Sequence, residues 1–159
     1  MMEDIFCKKF NDNLSVSYIL LSHMEQSVFN SSKRFNLTLG ELTMLEVINK
    51  NPIEGRMISD IATELMITPS SVTSAVNRLT LKGYVERHRS KTDGRMVYVN
   101  LTEKGRHADR IHKRFRRNMA KDVLKDMNEH EKNVLIDCIQ RMNNFFLQKI
   151  NKKSSDAAV

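Results

Sequence analysis

The chain has no tryptophan, and two prolines and five glycines in 159 residues are too few for a turn-rich β-sandwich. Two cysteines, Cys7 and Cys138, cannot build a disulfide framework and suit a reducing compartment. No apolar run approaches the roughly 18 residues of a membrane span. The opening MMEDIFCKKF lacks the basic-then-apolar order of a secretory signal, so the expectation is a cytoplasmic protein. A phosphate-cradling glycine loop, a nucleophile elbow and a His-x-x-x-His pair are all missing, which argues against an enzyme. What is present is one domain's worth of chain with a net charge of +7.

That charge is not evenly spread. Residues 1–67 carry 6 basic and 9 acidic side chains, and residues 122–159 carry 6 of each. Residues 68–121 carry 14 basic against 4 acidic, net +10. A merely solvated surface intersperses the signs, as the flanking thirds do. Concentration in one third is the electrostatic footprint of a polyanion site.

Apolar residues recur with helical spacing at Phe10, Leu14, Tyr18, Leu21, Met24 and Val28. Thr38 followed by Glu41 reads as a capping box, opening a helix through Leu42, Leu45 and Ile48 that Asn51-Pro52 ends. A short helix is predicted over Ile58–Leu65, and another begins at the N-cap Thr68 with Pro69 in first place. Its inward residues are Val72, Ala75, Val76 and Leu79, and Gly83 stops it. The period then changes to two: Tyr84–Arg87 and Met96–Leu101 read as strands joined through Ser90–Arg95. Thr102 caps a helix with the stripe Ala108, Ile111, Phe115, Met119 and Val123. Asn128 and Glu131 open a last helix carrying Val134, Leu135, Cys138, Ile139, Met142, Phe145, Phe146 and Ile150.

Two short helices, a tight joint and a hairpin with a charged tip make a winged helix-turn-helix. The fold class is therefore mainly α with a small β-hairpin, the winged helix-turn-helix being joined by a helical dimerisation region from both chain ends. The expected organisation is 1–36 an N-terminal dimerisation helix, 37–101 the DNA-binding region, 102–150 the C-terminal helices completing the dimerisation region, and 151–159 a disordered tail. The helix after Thr68 fits a major groove and offers Ser70, Ser71, Thr73, Ser74, Asn77 and Arg78 on its polar face. Asn and Arg have bidentate geometry for adenine and guanine edges. Arg87, Arg89, Lys91 and Arg95 surround the hairpin tip and suit a neighbouring minor groove. Asp93, repelled by phosphate, is expected to hold and aim the Arg95 guanidinium.

Ile61-Ala62, Val72-Thr73, Arg78-Leu79, Lys82–Arg87, Asp93-x-Arg95 and Leu101-Thr102-x-x-Gly105 together resemble the MarR family of bacterial transcriptional regulators. Gly94 in the wing tip departs from the family pattern. The resemblance spans about residues 10–150 and implies a homodimer that binds pseudo-palindromic operators, most often under ligand control. Thr63–Met66, Lys82-Gly83-Tyr84 and His112-Lys113-Arg114-Phe115 with Met119 are similar to one branch, the fatty-acid-synthesis repressors of the FabT type. That likeness implies long-chain acyl-acyl carrier protein as corepressor, with a fatty acyl ligand and the acidic carrier protein as partners. The basic run from His107 to Arg117 could then face DNA phosphate, the carrier protein or only water.

The apolar stripes at the two chain ends exceed what a thin monomer needs, and a two-fold copy would bury them. A dimer sets its recognition helices about 34–36 Å apart, one turn of the duplex. Met24, Met44 and Met119 on expected inner faces, with His112 and Phe115, make a candidate effector lining, although plain core is the simpler reading of such methionines. The alternative effectors are another small molecule, or oxidants acting through Cys7 beside Lys8 and Lys9. Cys138 is expected in the core. His107 and His112 lie roughly 140° apart around one helix, which disfavours a metal site. A nucleoid protein binding without sequence preference is a further rival, against which the Asn77/Arg78 and Asp93/Arg95 pairs argue.

Overall fold

Thr38 settles where the second helix of the chain begins. In a computed structural model, which describes residues 2–31, 35–89 and 96–156, its side chain accepts from the Glu41 amide while the Glu41 carboxylate accepts from the Thr38 amide. This reciprocal cap opens α2 (Leu39–Ile48), satisfying two amides that the helix itself leaves without partners. Before it runs α1 (Met2–Ser31), which begins eight residues ahead of Phe10, where the apolar period starts. After it come α3 (Ile58–Leu65) and α4 (Pro69–Leu81), both bounded as expected. Met66, left-handed at φ 54°, makes the tight joint between them. Thr68 caps α4 with Pro69 in its first turn, and Gly83 at φ 74° turns the chain out of it.

The β region holds one element more than the expected hairpin. Strands β2 (Val85–Arg89) and β3 (Val97–Leu101) pair antiparallel, with Arg87 opposite Val99. A two-residue strand, β1 (Arg56–Met57), pairs on the other side of β3, giving the order β1-β3-β2. Two residues carry no readable period, so only the tertiary structure reveals this strand. Arg56 donates to Glu64 of α3 at 2.8 Å, and Lys50 reaches the same carboxylate, so this arginine is spent inside the fold. The two cations hold the Glu64 carboxyl below its ordinary range.

Thr102 starts α5 (Glu103–Leu124), accepting from the Gly105 amide and donating to the Gly83 carbonyl. Asn128 and Glu131 exchange capping bonds at the start of α6 (Glu129–Asp156). This last helix runs past Ile150 through much of the stretch expected to be a disordered tail. The chain divides into two compact units, Met1–Lys113 and Arg114–Val159.

The core of the first unit gathers Leu42, Leu45 and Ile48 of α2, Ile61 and Ala62 of α3, and Val72, Ala75, Val76 and Leu79 of α4. Phe35, Leu37, Met44, Val47, Tyr84, Val85, Val99, Leu101 and Ala108 complete it. Each fully buried aliphatic side chain contributes about 1.5–3 kcal/mol. At Gly105, α5 passes so close to the residue ahead of β2 that a Cβ would run into the Tyr84 carbonyl oxygen, a backbone atom that cannot step aside. Gly105→Ala is therefore expected to destabilise the fold by about 1–3 kcal/mol, read as a lowered denaturation midpoint at unchanged m-value.

The apolar stripes at the chain ends are uncovered in the single chain. Phe10, Tyr18 and Leu21 of α1 and Val134, Ile139, Phe145, Phe146 and Ile150 of α6 are exposed. Cys138, expected in the core, is exposed too, on the same α6 stripe. Val123 is exposed at the far end of the α5 stripe. Among the described residues, no helix is long and apolar enough to cross a membrane.

Candidate nucleic-acid interface

Helix α4 is pinned by its buried face, Val72, Ala75, Val76 and Leu79, and this fixes what the opposite face displays. Ser70, Ser71, Thr73, Ser74, Asn77 and Arg78 are all exposed, as is Thr68 before them. Thr68 Oγ1 accepts from the Ser71 amide at 3.2 Å and lies 2.9 and 2.8 Å from the hydroxyls of Ser70 and Ser71. Three hydroxyls thus crowd the N-terminal end, where unpaired amides already favour an anion. Thr73 donates its proton back to the Pro69 carbonyl at 2.9 Å, leaving its oxygen as an acceptor. Of these seven side chains Arg78 carries the charge, and it is 59% exposed.

Strand β2 lies alongside. Arg87 Nη2 donates to Asn77 Oδ1 at 2.7 Å, binding the wing strand to the recognition helix. Arg89 is exposed two residues further, on the same face of the strand. Lys91, Asp93, Gly94 and Arg95, expected at the wing tip, lie outside the described residues.

The far end of α4 is held by an ion pair. Glu41, 96% buried at its side chain, receives Lys82 Nζ on both carboxylate oxygens at 3.0 and 2.8 Å, and Arg78 Nε lies 3.8 Å away. Burial by itself pushes the Glu41 carboxyl up. The Lys82 hydrogen bond, the Thr38 amide and the charges of Lys82 and Arg78 outweigh it and hold the group below its ordinary range. The sequence marks Glu41 as a cap and Lys82 as part of a motif, but not their pairing, since 41 residues separate them.

The candidate effector residues are dispersed. Met44 is buried in α2, and Met24 is exposed on α1. His112 is buried, its Nε2 3.6 Å from Glu25 of α1 and its Nδ1 3.9 Å from Glu46 of α2. Phe115 and Met119 are half-buried in the second unit. A cleft of about 370 Å³, lined by Met44, Leu65, Ile67, Ser71, Ala75 and Arg78 among others, takes Met44 alone from this set. Among the described residues, no three His, Cys, Asp or Glu side chains gather as metal ligands would.

Residues 27–111 match the family model described as "Transcriptional regulator SarA/Rot". The crystal structure of Streptococcus pneumoniae FabT in complex with DNA superposes with a TM-score of 0.83 at 31% identity, covering 89% of this chain and 97% of that one. The regulator SlyA superposes at 0.70 with 22% identity over 87% of this chain and 96% of that one, a likeness of fold alone. The HTH-type transcriptional regulator YdgJ of Bacillus subtilis is 33% identical over 86 residues, 54% of this chain and 52% of its own length. The chain spans about half the length of the curated relatives it matches.

Proposed function

Since the chain belongs to the MarR family of helix-turn-helix transcriptional regulators, we propose that two copies grip one pseudo-palindromic duplex and repress the genes beside it. The observation that carries this reading is the exposed face of α4, where a helix buried on one side offers seven short or planar polar side chains beside the arginines of β2. Such a face fits a major groove, and Arg89, exposed on the strand beside it, extends the contact toward the backbone. The proposed division of labour gives DNA reading to residues 37–101, Lys91, Asp93 and Arg95 among them. The helices of 1–36 and 102–150 pair with a second copy through the apolar side chains that α1 and α6 leave exposed.

The test is a titration of the purified chain against short duplexes at several salt concentrations. Specific binding is expected, with log affinity falling linearly with log salt by about 0.9 per phosphate contacted. Arg78→Ala is expected to cost about tenfold to a hundredfold on a selected operator. Binding that ignores sequence altogether would sink the reading in favour of a nucleoid protein.

For the signal, we propose long-chain acyl-acyl carrier protein as corepressor of fatty-acid-synthesis genes. Support comes from the FabT-like run His112-Lys113-Arg114-Phe115 with Met119 and from the basic surface of α5, where Arg110, Arg114, Arg116 and Arg117 are exposed and suit an acidic carrier. Met24, Met44, His112, Phe115 and Met119 are the residues assigned to the acyl chain. Acylated carrier is expected to tighten operator binding and free carrier to leave it unchanged; equal effects of the two remove the assignment. The exposed thiol of Cys7 on α1 favours a second reading, release of DNA by oxidants. That reading requires peroxide to weaken binding and Cys7→Ser to abolish the response.

A further inference from the structure

The contact between Arg87 and Asn77 has a direction that chemistry forces. A guanidinium carries five donors and no acceptor, so the edge of the Asn77 amide turned toward Arg87 Nη2, 2.7 Å away, is its carbonyl. The amide is planar, so its NH₂ group branches to the other side. Both side chains are exposed, and they join the recognition helix to the wing strand. Reading adenine bidentately requires asparagine to accept from N6 and donate to N7 at once. Here that oxygen already holds a charge-assisted hydrogen bond, so an adenine amine would have to take its second lone pair with the guanidinium standing against it. The amine left over can donate to N7 of either purine, O6 of guanine or O4 of thymine, but adenine sets its own amine beside N7, where the occupied carbonyl and its guanidinium would meet it.

We infer that Arg87 is a positioning residue that turns Asn77 into a donor-only reader, so that each half-site carries a keto base, guanine or thymine, where Asn77 meets it. This rests on the DNA-binding reading above and adds to it which base chemistry one side chain selects. Arg87 thereby acts on sequence preference without touching a base.

The experiment is selection of binding duplexes from a random pool, run with the full-length chain and with Asn77→Ala, Asn77→Asp and Arg87→Ala. The unmodified chain is expected to enrich a keto base at one position per half-site, and Asn77→Ala to flatten that position alone. Arg87→Ala releases the amide and is expected to shift the same position toward adenine or flatten it, with the slope of log affinity against log salt unchanged. Asn77→Asp keeps an acceptor for Arg87 but presents no donor, so its affinity for the selected duplex falls about tenfold to a hundredfold. If Arg87→Ala enriches the original motif and loses about 0.9 from the salt slope, Arg87 is a phosphate contact and the inference fails. The same holds if adenine is what the unmodified chain enriches at the Asn77 position. If the unmodified chain enriches no sequence at all, the DNA-reading proposal itself fails and this one falls with it.

Discussion

Glutamate at both Phe145 and Ile150 is expected to leave the chain folded but monomeric, and to lower its affinity for a selected operator at least a thousandfold. Both side chains are about half exposed on α6, 53% and 45%, beside the exposed Phe146 and Leu147. An apolar row this long, with a second on α1 running through Phe10, Tyr18 and Leu21, exceeds the scattered apolar exposure of an ordinary monomer. Each side chain sealed against a partner contributes up to about 1.5–3 kcal/mol, so two buried carboxylates in their place oppose association far more strongly than the originals favoured it. DNA binding follows because a monomer holds one half-site. Specific binding exceeds non-specific by about 10³ or more in such systems, and much of that margin comes from engaging both half-sites. Sedimentation equilibrium with a matched titration on duplex checks both halves of the expectation. An unaltered dimer would place the two-fold contact elsewhere.

Lys82→Met is expected to cost about 3–5 kcal/mol of folding stability at neutral pH, as much as a core truncation. Methionine preserves the length of the lysine stem, so the loss is electrostatic. The Glu41 carboxylate stays buried, with Arg78 at 3.8 Å as its nearest remaining cation. In the unmodified chain the Glu41 carboxyl is held below its ordinary value near 4.5. Its contribution to stability is thus present above that value and fades as pH falls through the lower, folded one. Lys82→Met removes two of the influences that lower the Glu41 carboxyl and leaves burial in place, so the group moves upward and acidification neutralises the stranded charge more readily. The gap between the two proteins is expected to narrow from pH 7 to pH 4 in chemical denaturation. Adding Glu41→Gln to Lys82→Met should recover part of the loss, since the neutral amide needs no counter-ion. A gap that does not vary with pH would show that Lys82 serves by packing alone. Because this pair anchors the C-terminal end of α4 to the start of α2, operator binding is expected to weaken alongside stability.

Much of the architecture is legible along the chain because local rules write it. The capping boxes at Thr38–Glu41 and Asn128–Glu131, the N-cap Thr68 with Pro69, and the stop at Gly83 each involve residues within a few positions of one another. The inward row Val72, Ala75, Val76 and Leu79 follows from the helical period alone, and its complement is the polar face assigned to DNA. Legibility fails where a partner lies far off in the chain. Strand β1 exists because β3 offers it an edge, and Arg56 is withdrawn from any polyanion by Glu64. Cys138 and Met24 sit on apolar rows that look like core, yet both are exposed, since periodicity identifies a face that wants covering and not what covers it.

The amino-acid order by itself determines the helices, the wing, the basic middle third and the family, since propensity, capping and local charge act over a few residues. The tertiary structure alone decides how the working side chains are used. Contacts spanning ten to sixty residues bind Arg87 to Asn77, Lys82 to Glu41 and Asn49 to the buried Asp109. A hydrogen bond depends on where two backbones bring its ends, and no local pattern encodes that distance.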